Sequence, residues 1–137
     1  MGQVSGVPPT DRTRILIADD DRFFAELLRN ALSAHDGFDV VGVVGNGAEA
    51  VASSDTLKPA LVLMDVAMPV LDGIEATRQM RELADPPTVV LITGEEAESG
   101  DKRAYAAGAS AYLRKSLELV SVIDVVVAVS RLSTASV

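Results

Sequence analysis

The sequence predicts a doubly wound α/β fold in which five parallel strands alternate with five helices. Strand-length runs rich in Val, Ile and Leu recur near residues 14–18, 38–44, 60–64, 88–92 and 109–113, each bounded by Asp, Gly or Pro. They are continuously apolar instead of alternating, as strands buried on both faces are. Helical periodicity fills the intervals, and the crossovers between parallel strands are expected to be right-handed.

Met1 to Thr13, with Gly2, Gly6 and Pro8-Pro9, has no apolar period and is expected to be a flexible leader, residues 1–13. The ordered domain is expected over 14–132 and a short tail over 133–137, with no repeat and no second domain. The first helix, Arg22 to Ala34, sets Phe23, Leu27, Leu28, Ala31 and Leu32 on one side, and His35 beyond its end reads as a solvated surface residue. Helices over Ala48–Leu57 and Gly73–Leu83 follow the second and third runs. A fourth helix is expected over Glu95–Ala107. Glu95, Glu96, Glu98 and Asp101 suit the dipole at its start, while Gly100 inside it costs about 1 kcal/mol relative to Ala and should loosen it.

The last helix, Leu117 to Leu132, carries Val129, Val122, Val126, Leu119, Ile123, Val127 and Val120 over an arc of about 180°, with Val125 and Leu132 outside even that. Covering a sheet needs a stripe of only about 100°. Two readings stay open: a deeply buried terminal helix, or one whose face also packs on another chain.

At 137 residues the chain is one domain, and its core is aliphatic, with 48% apolar and only 4% aromatic residues. A net charge of −8 argues against nucleic acid or an anionic membrane held by the domain's own field. The absence of Cys excludes disulfides and thiolate metal sites and favours a cytoplasmic setting. No apolar stretch approaches the roughly 20 residues of a membrane span.

Four of the runs end in residues able to handle metal or phosphate. Ile15–Ala18 leads into Asp19-Asp20-Asp21, Leu61–Met64 into Asp65, Val89–Ile92 into Thr93, and Ala111–Arg114 into Lys115. In open α/β sheets ligands bind just outside the carboxyl ends of the strands. One Asp of the triplet is expected as a helix N-cap. Three in succession repel one another unless a cation sits there, and a hard divalent ion with oxygen ligands, Mg²⁺ or Mn²⁺, suits them if Asp65 lies nearby. Asp65 precedes a loop containing Pro69 and Gly73 and reads as a loop acid, a metal ligand or a nucleophile. Thr93 offers a hydroxyl and Lys115 an ammonium, the donors that a transferring phosphoryl group requires. Tyr112 reads as partly buried core.

With these residues placed, ILIADDD, LVLMDVAMPVLDG, VVLITG and AYLRK, in that order, resemble the receiver domain of two-component response regulators. The likeness spans about Arg14 to Leu132. It implies a flavodoxin-like (βα)5 sheet of order 2-1-3-4-5. It implies that Asp19 and Asp20 hold Mg²⁺, that Asp65 is phosphoacceptor and metal ligand, and that the backbone carbonyl of Ala67 is a further ligand. Thr93 and Tyr112 are implied as switch residues and Lys115 as the phosphate-binding cation. The resemblance further implies a signalling domain, not an enzyme, phosphorylated by a histidine kinase and switching the face of its fourth helix, fifth strand and fifth helix. Homodimerisation through that face, or through the last helix, is the hypothesis that follows. GVVGNGAEAV is similar to receivers that precede a helix-turn-helix output domain, so an output domain or downstream protein is expected outside this chain.

Ser116, Ala67 and Gly94 depart from the family's usual Pro after the Lys and from bulkier residues near the site. Two rivals remain: a phosphorylation-independent adaptor of the same fold, and a dinucleotide-binding fragment. The second rests on Gly45-Asn46-Gly47-Ala48-Glu49-Ala50, which fits G-x-G-x-x-A, with Asp65 as ribose ligand. A haloacid-type phosphatase would need a D-x-D nucleophile motif, which Asp65-Val66-Ala67 lacks.

Overall fold

Every other residue of the three central strands faces one of two cores, and that alternation organises the domain. The computed structural model describes residues 11–94, 100–115 and 118–135. Strands β1 (Thr13–Ala18), β2 (Phe38–Val44), β3 (Leu61–Asp65), β4 (Thr88–Thr93) and β5 (Ala111–Arg114) alternate with helices α1 (Arg22–Ser33), α2 (Gly47–Leu57), α3 (Gly73–Met80), α4 (Gly100–Ala107) and α5 (Leu119–Ala135). All neighbouring strands pair in parallel, in the order β2-β1-β3-β4-β5.

Ile15, Ile17, Leu61, Leu63, Val90 and Ile92 meet α1 and α5 through Leu28, Leu32, Val122 and Val126. Leu16, Ala18, Val62, Met64, Val89 and Leu91 face the opposite layer, where Ala50, Ile74, Met80 and Ala104 cover them. Burial on both sides holds for β1, β3 and β4 but not for all five runs. The outer strands β2 and β5 are partly exposed, with Val43 at 40%, because an edge strand lacks a neighbour on one side.

The first three helices begin on side-chain caps at the carboxyl edge of the sheet. Asp21, Asn46 and Asp72 accept hydrogen bonds from the N–H groups of Phe24, Glu49 and Glu75, satisfying donors that helix geometry leaves unpaired. At the far end of α2, Lys58 takes a left-handed conformation (φ 50°), and the Arg14 guanidinium donates to the carbonyls of Leu57 (2.6 Å) and Lys58 (3.1 Å). The start of β1 thereby caps the end of α2.

Several boundaries and faces differ from expectation. Thr13, placed in the leader, belongs to β1, and its N–H donates to Gly37. α5 continues to Ala135, into the expected tail. α3 stops at Met80 instead of Leu83, and beyond it the N–H groups of Glu82 and Leu83 turn to the carbonyls three residues back, Gln79 and Met80, which tightens the last turn. α1 buries Ala25, Leu28 and Leu32; Phe23, assigned to its apolar side, is 75% exposed, and Phe24 packs on the core instead. In α5, Val122, Val126 and Val129 are buried and Val125 packs beside them, whereas Val120 and Leu132 face solvent. Gly100, read as interior to its helix, is the first residue of α4 as described. Glu95, Glu96, Glu98, Ser116, Leu117 and Met1 to Thr10 lie outside the described residues.

His35 is exposed as expected; its Nδ1 accepts from Gly37 N–H and its ring stacks on Phe38 at 4.3 Å. In the Gly45-Asn46-Gly47 segment, Gly47 is explained by packing and Asn46 by its cap of α2. The Gly47 N–H donates to the Leu71 carbonyl at 3.0 Å, and a Cβ on Gly47 would lie 2.1 Å from that oxygen, whereas one on Gly45 would meet nothing within 4 Å. Gly47→Ala should therefore cost about 2 kcal/mol or more and Gly45→Ala within about 0.5 kcal/mol, read as urea midpoints at constant slope. A dinucleotide loop would need both glycines for its ligand; equal stability losses in the two variants would contradict the packing explanation.

Candidate functional site: an acidic pocket at the carboxyl edge

Parallel strands deliver their last residues to one edge, so β1, β3, β4 and β5 bring Asp19, Asp65, Thr93 and Lys115 to a common region. The Asp triplet divides its work. Asp21 is the N-cap of α1, and Asp19 Oδ1 accepts from the Asp21 N–H at 2.8 Å, which orients the remaining Asp19 oxygen. Asp19 and Asp65 are 3% and 5% exposed, Asp20 is exposed, and ligand oxygens of all three lie within 4.8 Å of one another.

Lys115 Nζ stands 3.0 Å from Asp19 Oδ2 and 3.4 Å from Asp65 Oδ2. Its backbone N–H donates to the Thr93 carbonyl, which ties the end of β5 to the end of β4. The Thr93 side chain is buried at that strand end. Tyr112 is partly buried, pairs in register with Leu91 and packs on the core layer of α2, α3 and α4. Ala67 is exposed and supplies its backbone N–H to the Asp65 carboxylate.

The loop after Asp65 is drawn tight. Gly73 N–H donates to the Val66 carbonyl, and a Cβ on Gly73 would sit 2.2 Å from the Asp65 carbonyl, so only glycine lets α3 start this close to β3. Val70 has φ 71°, and Leu71 N–H donates across it to Pro69, a γ-turn that is strained for a β-branched residue. Those two features fix the Leu71 carbonyl on which Gly47 rests.

Among the described residues, the Lys115 ammonium reaches two of the three clustered carboxylates, and negative charge is in surplus there. Burial, then the neighbouring Asp19 charge, push the Asp65 carboxyl up to about 6, only partly countered by Lys115 and the Ala67 N–H. Burial alone would lower the Lys115 ammonium, but its hydrogen bond to Asp19 and the Asp65 and Asp19 charges outweigh that and raise it. Three oxygen donors with surplus negative charge fit a hard divalent cation. Position as well as charge is set, since Asp19 follows the buried run Ile15–Ala18 of β1 and Asp65 ends the fully buried β3.

The response regulator receiver domain matches this chain over residues 15–127. The chain belongs to that family. It is 35% identical over 113 residues to the chemotaxis protein CheY of Halobacterium salinarum, covering 82% of this chain and 92% of that protein. It is 39% identical over 123 residues to the transcriptional regulatory protein PdtaR of Mycobacterium tuberculosis, covering 86% of this chain but 57% of PdtaR. The fold also matches the CheX–CheY–BeF3–Mg complex from Borrelia burgdorferi, with a TM-score of 0.78, 26% identity and coverage of 85% and 87%. This receiver is therefore a signalling domain of a two-component system, from a family that binds Mg²⁺ in an acidic pocket and works with histidine kinases and output partners. No helix among its described residues is long and apolar enough to cross a membrane.

One contact in the pocket escaped the sequence reading: the Phe24 ring centroid lies 4.7 Å from Lys115 Nζ. Its sequence signal, an aromatic three residues after the capping Asp21, was obscured by the adjacent Phe23.

The raised Asp65 carboxyl has a pH signature. A carboxyl held above its ordinary 3.8 favours the fold when protonated, so its contribution is fully present below about pH 4 and is lost as pH rises through about 6. Ionised Asp65 therefore burdens the metal-free receiver at neutral pH. Asp65→Asn should raise its stability at pH 7 by on the order of 2 kcal/mol, with the gain vanishing below about pH 4. Thermal or urea unfolding in chelator, followed from pH 3.5 to 7.5, checks both sign and window.

Proposed function

We propose that this receiver accepts a phosphoryl group from a histidine kinase on Asp65, with Asp19, Asp20 and Asp65 holding Mg²⁺ or Mn²⁺ and the Ala67 carbonyl as a further ligand. The observation that carries the reading is the nearly buried Asp65 carboxylate, 3.4 Å from the Lys115 ammonium and within 4.8 Å of two further carboxylates. The divalent cation supplies the positive charge that lets phosphoryl oxygens approach such an acidic pocket.

An Asp65 oxygen attacks phosphorus, the P–N bond to the kinase imidazole breaks with its electron pair remaining on nitrogen, and an acyl phosphate forms on Asp65. Burial assists by stripping water from that oxygen, and the Ala67 N–H helps hold it in place. Lys115 meets the incoming negative charge, and Thr93, buried at the adjoining strand end, donates its hydroxyl to a phosphoryl oxygen. Tyr112, two residues from the β5 partner of Thr93, follows that movement and alters the face of α4, β5 and α5. The altered face, or α5 itself, controls dimerisation or an output partner. The receiver occupies residues 14–132 together with Thr13 of β1 and the rest of α5 to Ala135. The shorter coverage of PdtaR supports an output located outside this chain.

Incubation with Mg²⁺ and acetyl phosphate should add one phosphoryl to the intact mass of wild type, none to Asp65→Asn, and none to wild type in excess chelator. An equal mass gain in Asp65→Asn would place the acceptor elsewhere, and no gain in wild type would leave the adaptor role. Light scattering with and without beryllofluoride reads self-association; a monomer at high concentration in both states excludes it.

A further inference from the structure

Lys115 is a long, flexible side chain with about 2 kcal/mol of rotamer entropy to lose when held in one place. It follows the short edge strand β5, and its backbone N–H is tied to β4 through the Thr93 carbonyl. Something must hold its ammonium over the pocket. The two carboxylate contacts serve the metal-free domain, but a divalent cation drawing on Asp19 and Asp65 weakens both.

The Phe24 ring lies outside that competition. It projects from the first turn of α1, packs partly against the core, and carries no atom that ligates metal. Four contacts close a circuit around it. Lys115 Nζ reaches Asp19 Oδ2 at 3.0 Å; Asp19 Oδ1 accepts from Asp21 N–H at 2.8 Å; Asp21 Oδ1 accepts from Phe24 N–H at 3.1 Å; and the Phe24 ring centroid lies 4.7 Å from Lys115 Nζ. The cap that starts α1 therefore sets both the metal-side carboxylate and the aromatic support of the ammonium. The Lys115 side chain is only 20% exposed, so it is partly desolvated, the condition under which an aromatic face attracts a cation more strongly.

We infer that Phe24 is a positioning residue: its ring holds the Lys115 ammonium at the phosphoryl-binding point once metal has taken the carboxylates. This rests on the reading of Lys115 as the phosphate-binding cation. Phe24 touches neither phosphoryl group nor metal and acts through Lys115 alone.

The test compares Phe24→Leu, which keeps apolar bulk without the ring, with Phe24→Tyr, which keeps an aromatic face. Beryllofluoride binding in Mg²⁺ should weaken roughly three- to tenfold in Phe24→Leu and stay within about twofold of wild type in Phe24→Tyr. NMR supplies a reading that needs no phosphoryl analogue. The Lys115 Hε resonances should be displaced by the ring current in wild type and Phe24→Tyr and should return to ordinary lysine values in Phe24→Leu. Unchanged mimic binding in Phe24→Leu would overturn the inference, as would a Phe24→Tyr as weak as Phe24→Leu, which assigns the effect to packing. If wild type binds no mimic, the phosphoacceptor reading fails, and the Hε shifts still decide whether the ring contacts the ammonium.

Discussion

The constraint on which this receiver is built is an unbalanced charge held at the end of a rigid sheet. Asp19 directly follows β1 and Asp65 ends β3, strands whose residues nearest the site are packed into the core, so neither carboxylate can swing to water without disturbing the layers beneath it. Asp20 adds a third negative charge at the rim, and the Lys115 ammonium reaches only Asp19 and Asp65 among the described residues of the cluster. In the low-dielectric pocket that imbalance is expressed as a raised Asp65 carboxyl. The cores contribute the stability; the edge spends part of it on a surplus of negative charge.

Local devices keep that edge in register. Asp21, Asn46 and Asp72 start their helices on side-chain caps, so three helices begin at a common level around the pocket. Gly73 lets α3 approach the backbone of Asp65, and the γ-turn at Val70 presents the Leu71 carbonyl to Gly47, joining the β3–α3 loop to the start of α2. Val70 and Gly73 lie in the loop that follows Asp65, so a strained residue and a close backbone approach stand next to the acidic cluster, while the central strands show neither.

Legibility in the sequence followed the strength of the local signal. The central strands were plain because continuous Val, Ile and Leu runs have no use except burial on two faces. The same pattern overstated β2 and β5, since edge position depends on strand order and strand order is not a local property. Helix faces were harder to read: Phe23 and Phe24 are adjacent and chemically alike, and a rotation of 100° decides which enters the core and which faces solvent. In α5, apolar residues exceed what the sheet can cover, so Val120 and Leu132 could not be told from their buried neighbours by composition.

By itself, the sequence determined the class of the fold, the five-fold alternation of strand and helix, and the residue types that end the strands, because each is written in short-range pattern and side-chain chemistry. Only the tertiary structure decided which Asp of the triplet caps α1, that Asp19, Asp20 and Asp65 share one pocket with Lys115, that Gly47 after β2 serves packing, and that Phe24 lies beneath the ammonium. Those facts are distances between residues far apart in the chain. They are set by strand order and by the angle at which each helix meets the sheet, quantities that no single stretch of sequence contains.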